Sequence, residues 1–126
     1  MTKAEAIHAF FAGFDLPAYE ENSVPDYTDD AQTTETRPPY ITYQLAVDDF
    51  HGNGTAITAE IWDCSESWQL INEKVDEIAA YIGRRRMLSC DDGYIAVTKG
   101  SPFAQNYADE VYKRAYMNLN LTFITN

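Results

Sequence analysis

The chain has 126 residues, 45% of them hydrophobic and 13% aromatic, and a formal net charge of −11. This length suits a single domain over residues 1–126, and the composition argues against a disordered chain. The negative charge argues against binding nucleic-acid phosphates through a basic surface. With no apolar run of about 18 residues and no basic-then-apolar leader, we expect neither a membrane span nor secretion.

The first predicted elements are a short helix and a long acidic loop. Thr2 and Glu5 have the spacing of a capping box, which predicts a helix from residue 3 to about residue 13. Residues 15–36 then hold seven acids and no Lys or Arg. We predict a solvated, mobile loop there, because a connection of this length in a small domain is usually functional or disordered.

Two alternating stretches follow the loop. Apolar residues alternate with polar ones from Ile41 to Asp48 and again over 55–63, which predicts two strands. Gly52-Asn53-Gly54 lies between them and is a turn signal, since both residue types tolerate positive φ. We therefore predict that the two strands form a β-hairpin.

The stretch from Ser65 to Gly83 is the clearest helix in the chain. Its apolar residues recur with the spacing of one buried helical stripe. They are Trp68, Ile71, Val75, Ile78, Ala79 and Ile82. Ser65 or Ser67 can accept a hydrogen bond from the first turn, and Gly83 can adopt the left-handed conformation that ends a helix. Such a helix needs an apolar sheet to pack against.

The C-terminal part of the chain predicts two more strands. One covers residues 94–99, after an Asp91-Asp92-Gly93 turn, and is broken by Gly100-Ser101-Pro102. The other covers residues 115–123 and has one apolar and one polar face.

Together these elements have the order α-β-β-α-β-β and predict an α+β fold. We expect two layers, in which an antiparallel four-stranded sheet carries both helices on one face. A right-handed crossover through the long helix gives the strand order 1-2-4-3.

No stretch matches a known catalytic pattern, so we expect no enzyme activity, no cofactor and no metal. Asp26, Asp29 and Asp30 are close enough in sequence to suggest Ca²⁺ binding. They lack the EF-hand spacing, however, so a solvated loop is the preferred interpretation. Cys64 and His51 are a candidate thiol pair, but the acids beside Cys64 disfavour a reactive thiolate, and we expect Cys64 to be a small, nearly buried residue at the end of a strand.

Two further stretches have alternative interpretations. Arg84, Arg85 and Arg86 either bind an acidic partner surface or interact with the negative end of the preceding helix dipole. The segment Pro102-Phe103-Ala104-Gln105 either packs as a simple loop or is a contact point with a partner.

Four motifs between about Leu16 and the C-terminus point to a protein family when they are taken together. They are Pro39-Tyr40-Ile41-Thr42-Tyr43, Glu60-Ile61-Trp62-Asp63, Lys99-Gly100-Ser101-Pro102-Phe103-Ala104-Gln105, and the closing strand with Tyr116, Asn118 and Leu119. This combination resembles the tail terminator, or tail completion, proteins of long-tailed phages. The order of the predicted elements agrees with that resemblance.

The resemblance implies a structural virion protein that forms a hexameric ring, ends polymerisation of the tail tube and joins the tail to the head connector. Its implied partners are further copies of itself, the tail tube protein and connector proteins, with assembly in the host cytoplasm and no membrane. DNA would pass through the ring without sequence-specific binding, and an acidic lumen would keep it from sticking. Trp62 and Tyr116 on the polar sheet face are interface candidates, because such residues are enriched in interface cores.

Two alternatives stay open. One is a different phage neck component, such as a head–tail joining protein, which would bind the portal or connector and not the end of a tail tube. The other is a small-ligand or metal-binding α+β domain that uses the acidic 15–36 loop.

Overall fold

The computed structural model describes residues 1–125, which form two helices and six strands. In chain order these are α1 (Lys3–Phe11), β1 (Ala18–Glu20), β2 (Tyr40–Tyr43), β3 (Thr55–Asp63), α2 (Gln69–Ile82), β4 (Arg86–Cys90), β5 (Gly93–Ala108) and β6 (Lys113–Thr125). Within this range, no helix combines the length and the apolar character that a membrane crossing requires.

All six strands belong to one sheet with the order β1-β2-β3-β6-β5-β4, which curls into a half-barrel. β1 runs parallel to β2, and the other neighbouring strands are antiparallel. The fold is α+β, but the predicted four-stranded antiparallel sheet and the element order α-β-β-α-β-β are wrong. The four predicted strands lie side by side as β2-β3-β6-β5, and β1 and β4 extend the sheet at its two edges.

The two strands that the prediction missed are short and depend on their neighbours. β1 has only three residues, lies inside the predicted acidic loop, and pairs with β2 from Ala18↔Ile41 to Glu20↔Tyr43. So short a segment has no detectable period, and only the β2 edge defines it as a strand. β4 does alternate weakly, with Leu88 half-buried between exposed Met87 and Ser89.

β2 is shorter than predicted because the Gln44 side chain replaces a backbone acceptor in the pairing of β2 with β3. The strand ends at Tyr43, and the backbone N–H of Thr58 on β3 donates to the Gln44 side-chain carbonyl at 2.9 Å. The Gln44 N–H still donates to the Thr58 carbonyl at 2.9 Å, so the side chain replaces only the return bond from Thr58, and regular pairing of the two backbones ends at this pair. Leu45 and Val47, predicted to lie on the buried face, are exposed.

β5 is longer than predicted because the sheet absorbs the Gly100-Ser101-Pro102 break. The register with β6 shifts between Lys99 and Ala104, and pairing then resumes as far as Ala108. Asn118 on β6 donates from its side-chain amide to the Pro102 carbonyl at 3.0 Å. A bulge tolerates a proline that lacks a ladder donor, so the break bends the strand without ending it.

Both predicted helices are present but shorter than predicted, since α1 ends at Phe11 and α2 begins at Gln69, after Ser65 and Ser67. The Thr2–Glu5 capping box is present, and α1 buries Ile7, Phe10 and Phe11. α2 begins at Gln69, whose N–H donates to the Ser67 hydroxyl, and ends at Gly83 with φ 58°. Of the predicted stripe, Ile71, Ile78 and Ile82 are buried in the same core as the inward residues of the sheet, and the partly buried Trp68 and Val75 pack against that core.

The two helices cover different parts of the half-barrel. α2 packs on β3, β6 and β5, whereas α1 contacts β1 and β4, the two edge strands. α1 therefore bridges the open side of the curled sheet. The outer face of the sheet is left without a covering helix in this arrangement.

Candidate functional site

Strand register aligns four large side chains in one row across the outer face of the sheet. Tyr40 on β2 is paired with Trp62 on β3, Trp62 with Arg114 on β6, and Arg114 with Tyr107 on β5. Directly paired residues point to the same face of a sheet, so these four side chains lie side by side. The row spans four neighbouring strands.

A second row lies two residues further along each strand. It contains Thr42, Glu60, Tyr116 and Gln105, which are paired in the same strand order. The rows are tied together by the Trp62 indole N–H, which donates to the Thr42 hydroxyl at 2.9 Å. We call the two rows, together with Tyr19 and Tyr112 beside them, the aromatic face.

The rings of the aromatic face contact one another continuously. Ring centres are 5.7 Å apart for Tyr19 and Tyr40, 5.9 Å for Tyr40 and Trp62, and 5.7 Å for Trp62 and Tyr112. Mostly edge-to-face contacts at these separations are favourable and restrict the rings to fixed positions. The face is therefore a preorganised surface.

Arg114 is the charged centre of the aromatic face. Its guanidinium carbon lies 4.5 Å from the ring centre of Trp62, 4.8 Å from that of Tyr107 and 5.5 Å from that of Tyr116. The side chain is only 18% exposed, and its Nε has no hydrogen-bond partner among residues 1–125. Contacts with aromatic faces stabilise a desolvated cation, and here three rings share that role.

Two carboxylates complete the surroundings of Arg114. Glu60 lies 3.6 Å from its Nη1, and Asp109 lies 3.9 Å from its Nη2. Burial raises the pKa of Glu60 in spite of the opposing effect of the Arg114 charge. Backbone N–H groups of Tyr112 and Val111 lower the pKa of Asp109, which caps the turn between β5 and β6.

Aromatic rings grouped around an arginine are suited to binding another macromolecule. Tyr, Trp and Arg are the residues most enriched in interface cores and in the hot spots that dominate affinity. The ring of Tyr107 at the edge of the first row is exposed. Burial of Tyr40 raises its pKa, so its hydroxyl stays neutral at physiological pH and can act as a hydrogen-bond donor.

Three of the residues predicted as interface candidates lie together on this face. Trp62 is in the first row, and Tyr116 and Gln105 are paired in the second. Phe103 is not with them, since it lies at the β5 bulge and packs, half-buried, against the core. Of the two interpretations of the segment from Pro102 to Gln105, loop packing fits Phe103, and the exposed position of Gln105 fits a contact point with a partner.

The three predicted arginines are at a different place, between α2 and β4. Arg86 stacks on the Tyr81 ring, with 3.9 Å from its guanidinium carbon to the ring centre, and its Nε donates to the Tyr81 carbonyl. Arg84 and Arg85 are exposed and line an open groove of about 730 Å³ beside Arg86. Arg86 therefore interacts with the helix C-terminus, as one of the two interpretations proposed, while its two neighbours point to solvent.

Arg114 and Tyr107 complete the aromatic face, and neither was predicted from the sequence to be a site residue. Arg114 lies one residue before the predicted strand 115–123, and Tyr107 lies beyond the predicted break at Gly100-Ser101-Pro102. Extending the polar alternation of Tyr116 and Asn118 back by one step would have placed Arg114 on the outer face. No sequence signal pairs it with Tyr107.

The acidic loop predicted over residues 15–36 contains β1 and then a small hairpin. Tyr27 and Glu35 form a bridge, and the Asp29 carboxylate accepts hydrogen bonds from the Thr33 hydroxyl and from the backbone N–H of Thr33 at 2.9 Å. These bonds lower the pKa of Asp29. Its carboxylate therefore closes a turn, and residues 1–125 contain no group of three or more His, Cys, Asp or Glu placed to hold a metal ion.

Cys64 and His51 have separate surroundings. The Cys64 thiol is exposed and lies 3.8 Å from the Pro38 carbonyl, whereas the His51 ring bonds the Thr125 hydroxyl at 2.6 Å. Cys64 was expected to be nearly buried, and that expectation is wrong, because the residue follows the end of β3 and lies outside the sheet.

Comparison of the chain with protein-family models, with curated proteins and with solved structures gives no significant match.

Proposed function

We propose that this protein is a structural subunit of a phage virion that ends polymerisation of the tail tube, and that the aromatic face is the surface with which it binds its assembly partner. In this proposal the protein forms a ring, caps the tube and joins the tail to the head connector. Its function is binding, and it transforms no substrate.

The proposal depends on one observation. The motifs on which the phage resemblance depends are far apart in sequence, yet their outward side chains converge in the two rows of the aromatic face. Tyr40 and Thr42 come from the first motif, Glu60 and Trp62 from the second, and Gln105 from the third. Tyr116 of the closing strand lies between Glu60 and Gln105.

The physical character of the face supports an interface role. Preorganised rings lose little conformational entropy on binding, and a nearly buried arginine among them gives strong orientation preference. An uncovered face of this kind on a curled sheet also suits a subunit that packs against a repeating structure. The formal charge of −11 fits a ring around DNA, because acidic walls repel phosphates.

The proposal is tested by adding the protein to polymerising tube protein from the same phage genome and measuring tube length and end-binding by electron microscopy. We expect the wild type to shorten the tubes and to bind at their ends. Trp62→Ala and Arg114→Ala should each weaken end-binding by about 30-fold or more, as expected for interface hot spots.

Asn120→Ala is the matched control, since Asn120 is exposed on β6 two pairs beyond Asn118 and outside both rows. It should bind tube ends like the wild type. A wild-type protein that binds the connector and leaves tube ends free would instead identify a head–tail joining protein. Full end-binding by both Trp62→Ala and Arg114→Ala, with folding unchanged by circular dichroism, would reject the aromatic face as the interface.

A further inference from the structure

Four of the nine Lys and Arg residues of this acidic chain gather at one corner of the fold. Arg84, Arg85 and Arg86 connect α2 to β4, and Arg86 is paired with Val97 on β5. Thr98 lines the same groove as the three arginines. Lys99 is two residues beyond Val97 on β5 and so lies on the same face of the sheet as Arg86. We call Arg84, Arg85, Arg86 and Lys99 the basic corner.

The basic corner is not neutralised within the chain. Among residues 1–125, no ion pair involves any of its four members, and the residues that line the adjoining groove include no acid. Arg84, Arg85 and Lys99 are exposed. Their charges are therefore available to a partner.

A group of acids lies at the other edge of the sheet. Residues 20–36, in the connection between β1 and β2, carry six of the twenty acids of the chain and no Lys or Arg, and the next residue, Arg37, forms an ion pair with Glu35. β1 and β4 are the two outermost strands of the sheet, so this acidic segment and the basic corner adjoin opposite edges. Backbone hydrogen bonds from Thr28 to Thr34 and from Thr36 to Asp26 give the acidic segment a defined shape.

This separation of charge favours one mode of self-association. Two copies with a net charge of −11 repel each other except where a basic region meets an acidic one. A two-fold contact centred on either region would bring like charges together. A head-to-tail contact, in which the basic corner of one copy meets the acidic segment of the next, brings opposite charges together and leaves both regions available at the ends.

We infer that the partner of the basic corner is the acidic segment of a second copy of this chain. Repetition of this contact gives a closed ring if the rotation closes and a filament if it does not. The inference deepens the proposed function and rests on it in this respect, because a ring requires a head-to-tail contact. The basic corner contains no residue of the aromatic face, whereas the acidic segment shares a groove with Tyr40 of the first row.

Charge exchange between two variants tests the inference. In one variant Arg84→Glu and Arg85→Glu reverse the basic corner, and in the other Asp26→Lys and Asp30→Lys reverse the acidic segment. All four residues are exposed, and none of their side chains makes a hydrogen bond or ion pair within residues 1–125. Molecular mass is measured by sedimentation equilibrium over a range of concentration, at about 50 mM and about 500 mM salt.

We expect the wild type to associate at low salt and less at high salt, since exposed charges are screened. Each variant alone should associate at least about tenfold more weakly, and an equimolar mixture of the two should regain the association, because the reversed regions are complementary to each other. The control Asp49→Lys with Asp76→Lys makes the same change in net charge as the acidic-segment variant but lies outside both regions. It should associate at least as well as the wild type.

A wild type that stays monomeric at low salt would overturn the inference. So would an acidic-segment variant that associates as well as the control, or a mixture that associates no better than its components. The Arg84→Glu, Arg85→Glu variant keeps the aromatic face, so as a monomer it should still bind tube ends detectably. Loss of tube binding by every protein, the wild type included, would contradict the proposed function and leave the charge-exchange result to be judged on its own.

Discussion

Arg114 and Trp62 are direct partners across β6 and β3, and the guanidinium carbon of Arg114 lies 4.5 Å from the centre of the Trp62 ring. The same arginine reaches Glu60 at 3.6 Å, two residues before Trp62 on β3. The Arg114 side chain thus links Trp62 in the first row to Glu60 in the second row. The stability of the outer face should therefore depend on Arg114.

Arg114→Ala should lower the free energy of unfolding by about 1–3 kcal/mol. The change removes a nearly buried cation from three rings and leaves the Glu60 carboxylate without its partner. Urea unfolding followed by tryptophan fluorescence measures the effect. Arg85→Ala is the control, since that side chain is exposed, and it should stay within about 0.5 kcal/mol of the wild type. Equal unfolding curves for the two variants would contradict the role given to Arg114.

Glu60→Gln should make the protein relatively more stable as pH rises. Burial raises the pKa of Glu60, so the wild-type folded state holds its proton more tightly than the unfolded state does. The stability that this proton contributes is fully present below the pKa of Glu60 in the unfolded state. It is lost as pH rises through the pKa of Glu60 in the folded state. Glutamine stays neutral throughout.

The difference in unfolding free energy between Glu60→Gln and the wild type should therefore shift in favour of the variant as pH rises from about 4 through the folded-state pKa of Glu60. Urea titrations of both proteins at each pH measure it, and the titration of other acids cancels in the difference. Glu73→Gln, on the exposed side of α2, controls for the chemical change from glutamate to glutamine. A constant difference for Glu60→Gln would show that its pKa is the same in both states.

Gly93→Ala should destabilise the protein by about 1–3 kcal/mol. Gly93 is the first residue of β5, where an added Cβ would collide with the Ile124 carbonyl oxygen and lie 2.5 Å from a ring carbon of Phe50. The backbone cannot move aside without breaking the β5–β6 pairing, so the strain remains. Gly13→Ala is the control, because its Cβ would be 3.4 Å or more from its neighbours. Thermal unfolding that ranks the two variants equally would contradict this explanation.

Asp29→Ala should loosen the acidic segment without unfolding the domain. Asp29 accepts hydrogen bonds from Thr33 and Thr34, and removing them opens the turn of the small hairpin. Limited proteolysis should then cut between residues 26 and 36 about threefold faster or more, with little change in Tm. Asp30→Ala, whose side chain is exposed, should be cut like the wild type.

The same turn should respond to acid in a defined direction. The pKa of Asp29 is lowered, so its contribution is present above the unfolded pKa and is lost as pH falls through the folded pKa. Cleavage of the wild type within residues 26–36 should therefore approach that of Asp29→Ala in acid, measured with an acid-active protease. A wild type that stays protected at low pH would contradict this role for Asp29.

Local patterns in the sequence were enough to predict the helices. The Thr2–Glu5 capping box and the end of α2 at Gly83 involve residues within one or two turns of each other. The buried stripe with Ile71, Ile78 and Ile82 likewise follows from a period that a single helix sets for itself. The apolar alternation of β6 and β3 was predicted for the same reason.

Interactions between distant residues decided the rest of the sheet. β1 is a strand only because it adjoins β2, β2 ends where the Gln44 side chain takes the Thr58 donor, and β5 continues because Asn118 supports the bulge at Pro102. None of these contacts produces a periodic pattern in the sequence. The prediction of a four-stranded sheet was therefore wrong at these places.

Some positions of the aromatic face likewise follow from the sequence, and others follow only from the tertiary structure. The sequence by itself determined that Trp62 and Tyr116 have polar-side positions on their strands, because side chains alternate along a strand with a period of two. Only the tertiary structure decided that Arg114 lies between Trp62 and Tyr107, because register joins residues that are remote in the chain. Alternation is a property of one strand, whereas register is set by the packing of several strands at once.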